Sequence, residues 1–425
     1  MENYGKLRKA KEEPSKSAEE VRVRQEAVRG GMANRERAES VMAREGLQAL
    51  VATTPENIAY VIGAPLRTTN WSMQIYAVLP KDAGARPRLV LPTNRLGVIA
   101  QMGVPDAELY LFSDFFVEGS PVGQPSTPDI DLFYDLLGRT AVYPGPLEAL
   151  AAALKDLDIP QGPLGVDEMR INPALYAKLG ESLPAGHVRP AYGLFREVRQ
   201  VKTAAEVARL RRSAELNERV EEEMIHLIAD GVHEEELAAH YRDRIIRAGG
   251  TPAMIAVGAG PRSALPLIEH YFHRVRPGEQ VRFDLCCQLD SYWADTGRTV
   301  VLGQPSEWQR RHFAAVRGGW ERALELVRPG VKASAVFAAA VETVQRGGIP
   351  HYRRQHVGHA IGLELYDDIV LAPGDHRELQ EGMVFCVEVP YYELGAGGFQ
   401  IEDTVVVTKD GYEFLTHLDR KLFVQ

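Results

Sequence analysis

The chain has 425 residues, more than one ordinary domain holds, so two domains are expected. It is 45% hydrophobic and 25% charged, with a formal net charge of -9 and a pI near 5.8, which excludes wholesale disorder and argues against a dedicated nucleic-acid or acidic-membrane binder. No apolar run approaches the roughly 20 residues that span a bilayer. The first twenty residues, polar and charged, lack the apolar stretch of a secretory signal. The three cysteines are Cys286, Cys287 and Cys386. An odd total with two neighbours reads as reduced thiols in a cytoplasmic protein.

Residues 1–30 are poor in large apolar groups and read as a frayed or helical arm. An α/β pattern follows over 31–195. Arg35 to Gly46 is an amphipathic helix with a glycine stop, and LQALVAT is a buried strand. IYAVLP and RLVLP repeat the short apolar strand, LEALAAALKDLDI is a helix, and LGVD followed by NPALYAKLGESLP continues the alternation. Such alternation favours a sheet covered by helices. Trp71 is placed on a loop between strands, where ordinary packing is the favoured reading.

The character changes near Phe195. Val207, Leu210, Ala214, Met224 and Ile228 recur at helical spacing before Gly231, and VHEEELAAHYRDRIIRAGG is a second helix. GAGPRS lacks the lysine and the strand–loop–helix context of a phosphate loop and reads as a turn. After residue 280 short strands dominate: VRFDLCC, YWADTG, RTVVLG, VFCVEVPYY and IEDTVVVT. Helices first and strands later predict an α+β domain over 196–425.

Within those strands stand residues that interrupt the apolar pattern. Asp284 lies in VRFDLCCQLD, and Asp295 lies on the return strand of a hairpin turning near Leu289–Ser291, so pairing can bring both carboxylates to one face. His359 sits between Gly358 and Gly362, which permit close backbone approach. Glu388 interrupts VFCVEVP, and Glu402 interrupts FQIEDTVVV. Taken singly, each reads as a capped or salt-bridged structural group. As a set, four carboxylates and an imidazole require positive charge between them. Two divalent cations would supply it; this donor set favours Mn²⁺ and tolerates Co²⁺, Fe²⁺ or Zn²⁺.

The order Asp, Asp, His, Glu, Glu resembles the pita-bread metallopeptidase family of methionine aminopeptidase, aminopeptidase P, prolidase and creatinase. The eleven-residue step from Asp284 to Asp295, DTGRT, GHAIGLE, EGMVFCVEV and FQIEDTVVVTKDG are each similar to that family's segments. LFREVRQVKTAAEVARLRRSAEL looks like its usual leading helix, and GLQALVATTPENIAYVIG like the smaller domain of prolidases and creatinases. The resemblance implies a pita-bread catalytic domain after a smaller α/β domain, a homodimer, and a hydrolase in which metal-bound hydroxide attacks an amide carbonyl. It implies Asp284, Asp295, His359, Glu388 and Glu402 as metal ligands, with Glu388 also relaying a proton. The partner would be a short peptide or small amide, not nucleic acid or a membrane.

Two departures stand out. The family's histidine in a segment similar to ALPH corresponds to Leu267 here, with His270 and His273 nearby; the histidine seven residues after His359 is replaced by Tyr366. Leucine cannot move a proton, whereas tyrosine can donate to an oxyanion but carries protons poorly at neutral pH. Tyr366 and His356 are therefore the further catalytic candidates. Three readings follow: an Xaa-Pro peptidase; a non-peptidase hydrolase or lyase acting on a small C–N or amide substrate; and, last, a catalytically retired binding scaffold.

Overall fold

The computed structural model describes residues 33–64, 66, 74–117, 127–159, 163–182 and 188–425. The arm 1–30 and Trp71 lie outside them. The chain divides into two compact units, with the break between Tyr192 and Gly193.

The first unit is a seven-stranded mixed sheet of β1 (Ala49–Ala52), β2 (Tyr76–Pro80), β3 (Arg88–Pro92), β4 (Glu108–Phe112), β5 (Val142–Tyr143), β6 (Leu164–Val166) and β7 (Val188–Pro190), in the order β5-β4-β3-β2-β1-β6-β7. The helix Arg35–Glu45 ends on Gly46, whose φ of 67° closes it in the left-handed region. The helix Pro146–Lys155 seats Ala149, Leu150, Ala153 and Leu154 against Val51, Val78 and Val90 of the sheet. One buried acid organises the loop after β1. Asp167 accepts hydrogen bonds from the Thr54 backbone and hydroxyl and from Asn57, so its charge is compensated without a cation.

The second unit repeats one order twice: a helix pair, then strands. The helices Ala204–His226 and Glu234–Arg247 precede β8 (Thr251–Ala259), β9 (Gln280–Leu289), β10 (Tyr292–Thr296) and β11 (Thr299–Val301). The helices Glu307–Glu325 and Ala333–Arg346 precede β12 (Gly358–Ala360), β13 (Val384–Glu388), the hairpin β14 (Tyr391–Glu393) and β15 (Gly397–Phe399), then β16 (Glu402–Val407) and β17 (Tyr412–Phe414); β18 (Phe423–Val424) returns to β11. Helices first and strands later is thus corrected, because a second helix pair stands among the strands. Its first helix carries Gly318 and Gly319 in its interior, which weakens the helical pattern in the sequence. The structure shows their use: a Cβ on Gly319 would stand 2.3 Å from Val344 Cγ2 on the next helix, so the glycine lets the pair pack closely.

Strand alternation decides which face meets the helices. On β9, Phe283, Leu285 and Cys287 join the core of the first helix pair. On β13 and β16, Phe385, Val387, Val405 and Val407 join the core of the second. The even-numbered residues of these strands therefore point to the opposite face. All the candidate ligands on β9, β13 and β16 are even-numbered.

Candidate metal centre

β9 and β10 form a hairpin closed by Asp290 and Ser291, with φ of 52° and 70°, between the paired Leu289 and Tyr292. Two consecutive left-handed residues match the twist of the strands they join. The resulting register sets Asp295 opposite Cys286, so Asp284, Cys286 and Asp295 share one face. In the second sheet, His359 lies opposite Cys386, and Glu388 directly opposite Glu402. These four share a face as well. A bridge between Gly297 and Glu402 ties the two sheets where the carboxylates meet. Gly358 allows β12 to lie flat against β13: its φ is 143°, and a Cβ there would fall 2.2 Å from the Cys386 carbonyl.

The structure thus brings all five candidate ligands together. They are buried, from 1% exposed at His359 and Glu402 to 8% at Asp284. Side-chain donor atoms of Asp295, His359, Cys386 and Glu402 all lie within 4.8 Å of one another, as do those of Asp284, Cys286 and Asp295. His359 Nε2 stands 3.6 Å from Asp295 Oδ2, while Nδ1 lies 3.2 Å from the Ala360 carbonyl. That second contact favours a proton on Nδ1 and leaves Nε2 to the carboxylate side.

The electrostatics are those of crowded negative charge. Burial and the neighbouring Asp295 push the Asp284 carboxyl up to about 8, and burial and Asp295 push Glu402 well above the ordinary carboxylate range. Burial also raises Asp295. Glu388 goes the other way: burial opposes its charge, but His356 and Arg354 more than offset that and hold it low. Asp295 Oδ1 and Glu402 Oε1 are buried with no hydrogen-bond partner among the described residues. Buried carboxylate oxygens in that condition are costly unless a cation meets them, so the donor set fits divalent metal.

Around this centre, His356 Nδ1 stands 3.2 Å from Glu388 Oε1, and the Tyr366 hydroxyl lies 3.4 Å from His356 Nε2. The Tyr366 ring stacks on His359 at 3.9 Å between centroids. Its loop is anchored next door, where the buried Asp367 pairs with Arg199 at 2.9 Å and Lys202 at 3.0 Å. Leu267, by contrast, is 65% exposed. Neither nearby histidine takes the place it vacates: His273 pairs with Glu279 at 2.9 Å, and His270 is exposed.

Sequence reasoning passed over Arg282, Arg354 and Gln400. Arg282 Nη1 lies 3.3 Å from Asp284, Arg354 Nη2 lies 3.6 Å from Glu388, and Gln400 donates to Glu402 Oε2 at 2.9 Å. Arg282 and Gln400 each stand two residues before a candidate ligand, and alternation pointed to them. Arg354 lies outside any strand and carried no such signal. The thiols Cys286 and Cys386, read as reduced, are buried and form no disulfide, and they share the carboxylate face.

Residues 208–409 match Metallopeptidase family M24, and residues 35–201 match the Creatinase/Prolidase N-terminal domain. The Xaa-Pro dipeptidase of Pyrococcus furiosus is 32% identical over 232 residues, covering 54% of this chain and 66% of that protein. The probable dipeptidase PepE of Mycobacterium bovis is 28% identical over 390 residues, 91% of this chain and 94% of its own. Among solved structures, dipeptidase PepE from Mycobacterium ulcerans superposes with a TM-score of 0.70 at 26% identity, over 92% of this chain and 96% of that one. The Xaa-Pro dipeptidase from Bacillus anthracis shares the fold, with a TM-score of 0.74 at 22% identity over 92% and 99%. No described helix is long and apolar enough to cross a membrane. With a pita-bread C-terminal domain behind an α/β domain of the creatinase and prolidase type, the chain is an enzyme of metallopeptidase family M24.

Proposed function

We propose that this enzyme is a dinuclear-metal peptidase acting on short Xaa-Pro substrates, with 31–195 as its N-terminal domain and 196–425 as its catalytic domain. The observation that carries the reading is the pair of partnerless oxygens, Asp295 Oδ1 and Glu402 Oε1, among donors that converge with Asp284 and His359, with Glu388 paired opposite Glu402 on the same face. The likeness to dipeptidases in family M24 supports it. Those five residues would hold two divalent ions, Mn²⁺ foremost. Such ions activate water and polarise a carbonyl when bound.

The chain's own residues supply the rest. Glu388 is ionised and in reach of His356, so it can accept a proton at Oε1 and pass it toward a leaving nitrogen. Tyr366 keeps its proton, because burial and the surrounding carboxylates raise it. It therefore acts as a hydrogen-bond donor to developing negative charge, and its stacking on His359 fixes the ring beside the centre. The working form is a cytoplasmic homodimer. The test is a panel of Xaa-Pro dipeptides and longer X-Pro peptides assayed with Mn²⁺. Complete inactivity in protein carrying two bound ions would refute peptidase action.

A second reading, a hydrolase or lyase of a small C–N or amide compound, draws on one observation. No histidine stands where Leu267 and Tyr366 are, and His273 is committed to Glu279. If Leu267→His with Tyr366→His creates peptidase activity that the natural chain lacks, this second reading prevails. The retired scaffold ranks last because the ligand set is complete; a natural chain that binds no metal would revive it.

A further inference from the structure

Arg282 lies two residues before Asp284 on β9 and so faces the same way. Its side chain is fully buried. Nε donates to the Ser263 carbonyl at 2.8 Å, and Nη2 donates to those of Leu265 at 2.6 Å and Pro266 at 3.2 Å. These three bonds hold the guanidinium in place. Nη1 is thereby aimed at Asp284 Oδ2, 3.3 Å away, and the plane lies near the Tyr392 ring, 5.1 Å from its centroid. An arginine does not lose its charge at any working pH. One carboxylate of the cluster therefore carries a permanent, immobile counter-charge.

The two places where donors converge are consequently unequal. Beside His359, the imidazole meets Asp295 and Glu402, whose partnerless oxygens are free for a cation. Beside Asp284, two carboxylates converge, but one already shares an oxygen with Arg282. A divalent ion there must compete for that oxygen and sit close to a like charge. Arg354 also approaches the cluster, at 3.6 Å from Glu388, but Glu388 belongs to neither convergence.

We propose that Arg282 is a built-in counter-charge that makes the metal position at Asp284 the weaker of the two, so that one ion is retained near His359 and the other exchanges. This rests on the metal-centre reading above. The alternative role for Arg282 is purely structural, as a clamp on the 263–266 turn, and the variants are chosen to separate charge from packing.

The experiment titrates chelator-treated full-length protein with Mn²⁺, following free Mn²⁺ by electron paramagnetic resonance and bound Mn²⁺ by elemental analysis. The natural chain should show two classes of site at least tenfold apart in affinity. Arg282→Met should tighten the weak class at least tenfold and leave the tight class unchanged. Arg282→Lys, which keeps the charge, should preserve the gap. Asp284→Asn should abolish the weak class alone. Equal affinities in the natural chain, or Met and Lys variants that behave alike, overturn the proposal. Should Arg282→Met fail to fold, Arg282→Gln, which drops the charge but keeps an amide donor for the 263–266 carbonyls, takes its place, and a weak class left unchanged there overturns the proposal. If the natural chain binds no Mn²⁺ at all, the metal-centre reading itself falls.

Discussion

The helix Ala204–His226 buries Glu221 completely, with the Arg298 charge and the Thr296 side chain as its favourable company. Burial pushes its carboxyl from 4.5 up to about 7, even though the Arg298 charge pulls it down. Because the folded state binds this proton more tightly than the unfolded chain, Glu221 lowers stability progressively as pH rises from 4.5 through about 7. Below the lower value both states are protonated and the effect vanishes. Glu221→Gln removes the charge while keeping the shape. The variant should gain about 1 kcal/mol over the natural chain at pH 5 and about 3 kcal/mol at pH 8. Urea unfolding at both pH values, read through Trp293, Trp308 and Trp320, which all lie in the second unit, measures the difference. Using both proteins at the same metal concentration subtracts any pH effect on metal binding. A gain that is independent of pH, or larger at pH 5, would refute the reasoning.

Two further outcomes test the frame around the site. Arg298 is 1% exposed and bonds Asp403 at 2.8 Å together with the carbonyls of Gly297, Leu418 and Asp419. Arg298→Met removes the closer counter-charge of Asp403, leaving it Arg420 at 3.2 Å and the Thr416 hydroxyl, strips the buried carbonyls of their donor, and should cost roughly 3–5 kcal/mol, a fall in Tm on the order of 10 °C; a fall below about 2 °C would show that the cluster is not stabilising. Mn²⁺ at a hundredfold over its Kd should add about 2.7 kcal/mol, raising the Tm of the second unit by roughly 5–10 °C over the chelated protein. Asp295→Asn should abolish that rise in calorimetry, and an equal rise in the variant would contradict a cation held between these carboxylates.

Much was legible in the residues themselves. The strands around Asp284, Glu388 and Glu402 announce themselves by apolar alternation, and a carboxylate inside such a run needs a partner, because burial of an isolated charge is too costly. The spacing from Asp284 to Asp295 matched a hairpin, and the two-residue turn at Asp290–Ser291 closes it in the expected place. In the first unit, the strands read from IYAVLP, RLVLP and LGVD appear as β2, β3 and β6. The helix Glu307–Glu325 was not read, since its paired glycines serve a packing contact with a helix that follows only later in the chain.

The chain's order of residues determined by itself which side chains would be forced to share one buried face, because alternation along a strand is local. What those side chains touch was decided only in three dimensions. Arg282 reaches Asp284 because three carbonyls of a separate turn hold its guanidinium there, and Arg354 reaches Glu388 from a loop. Tyr366 stands on His359 because the distant Arg199 and Lys202 anchor Asp367 beside it. Contacts of this kind join residues far apart in sequence, and no local periodicity encodes them. The charge balance of the site is therefore a property of the tertiary fold.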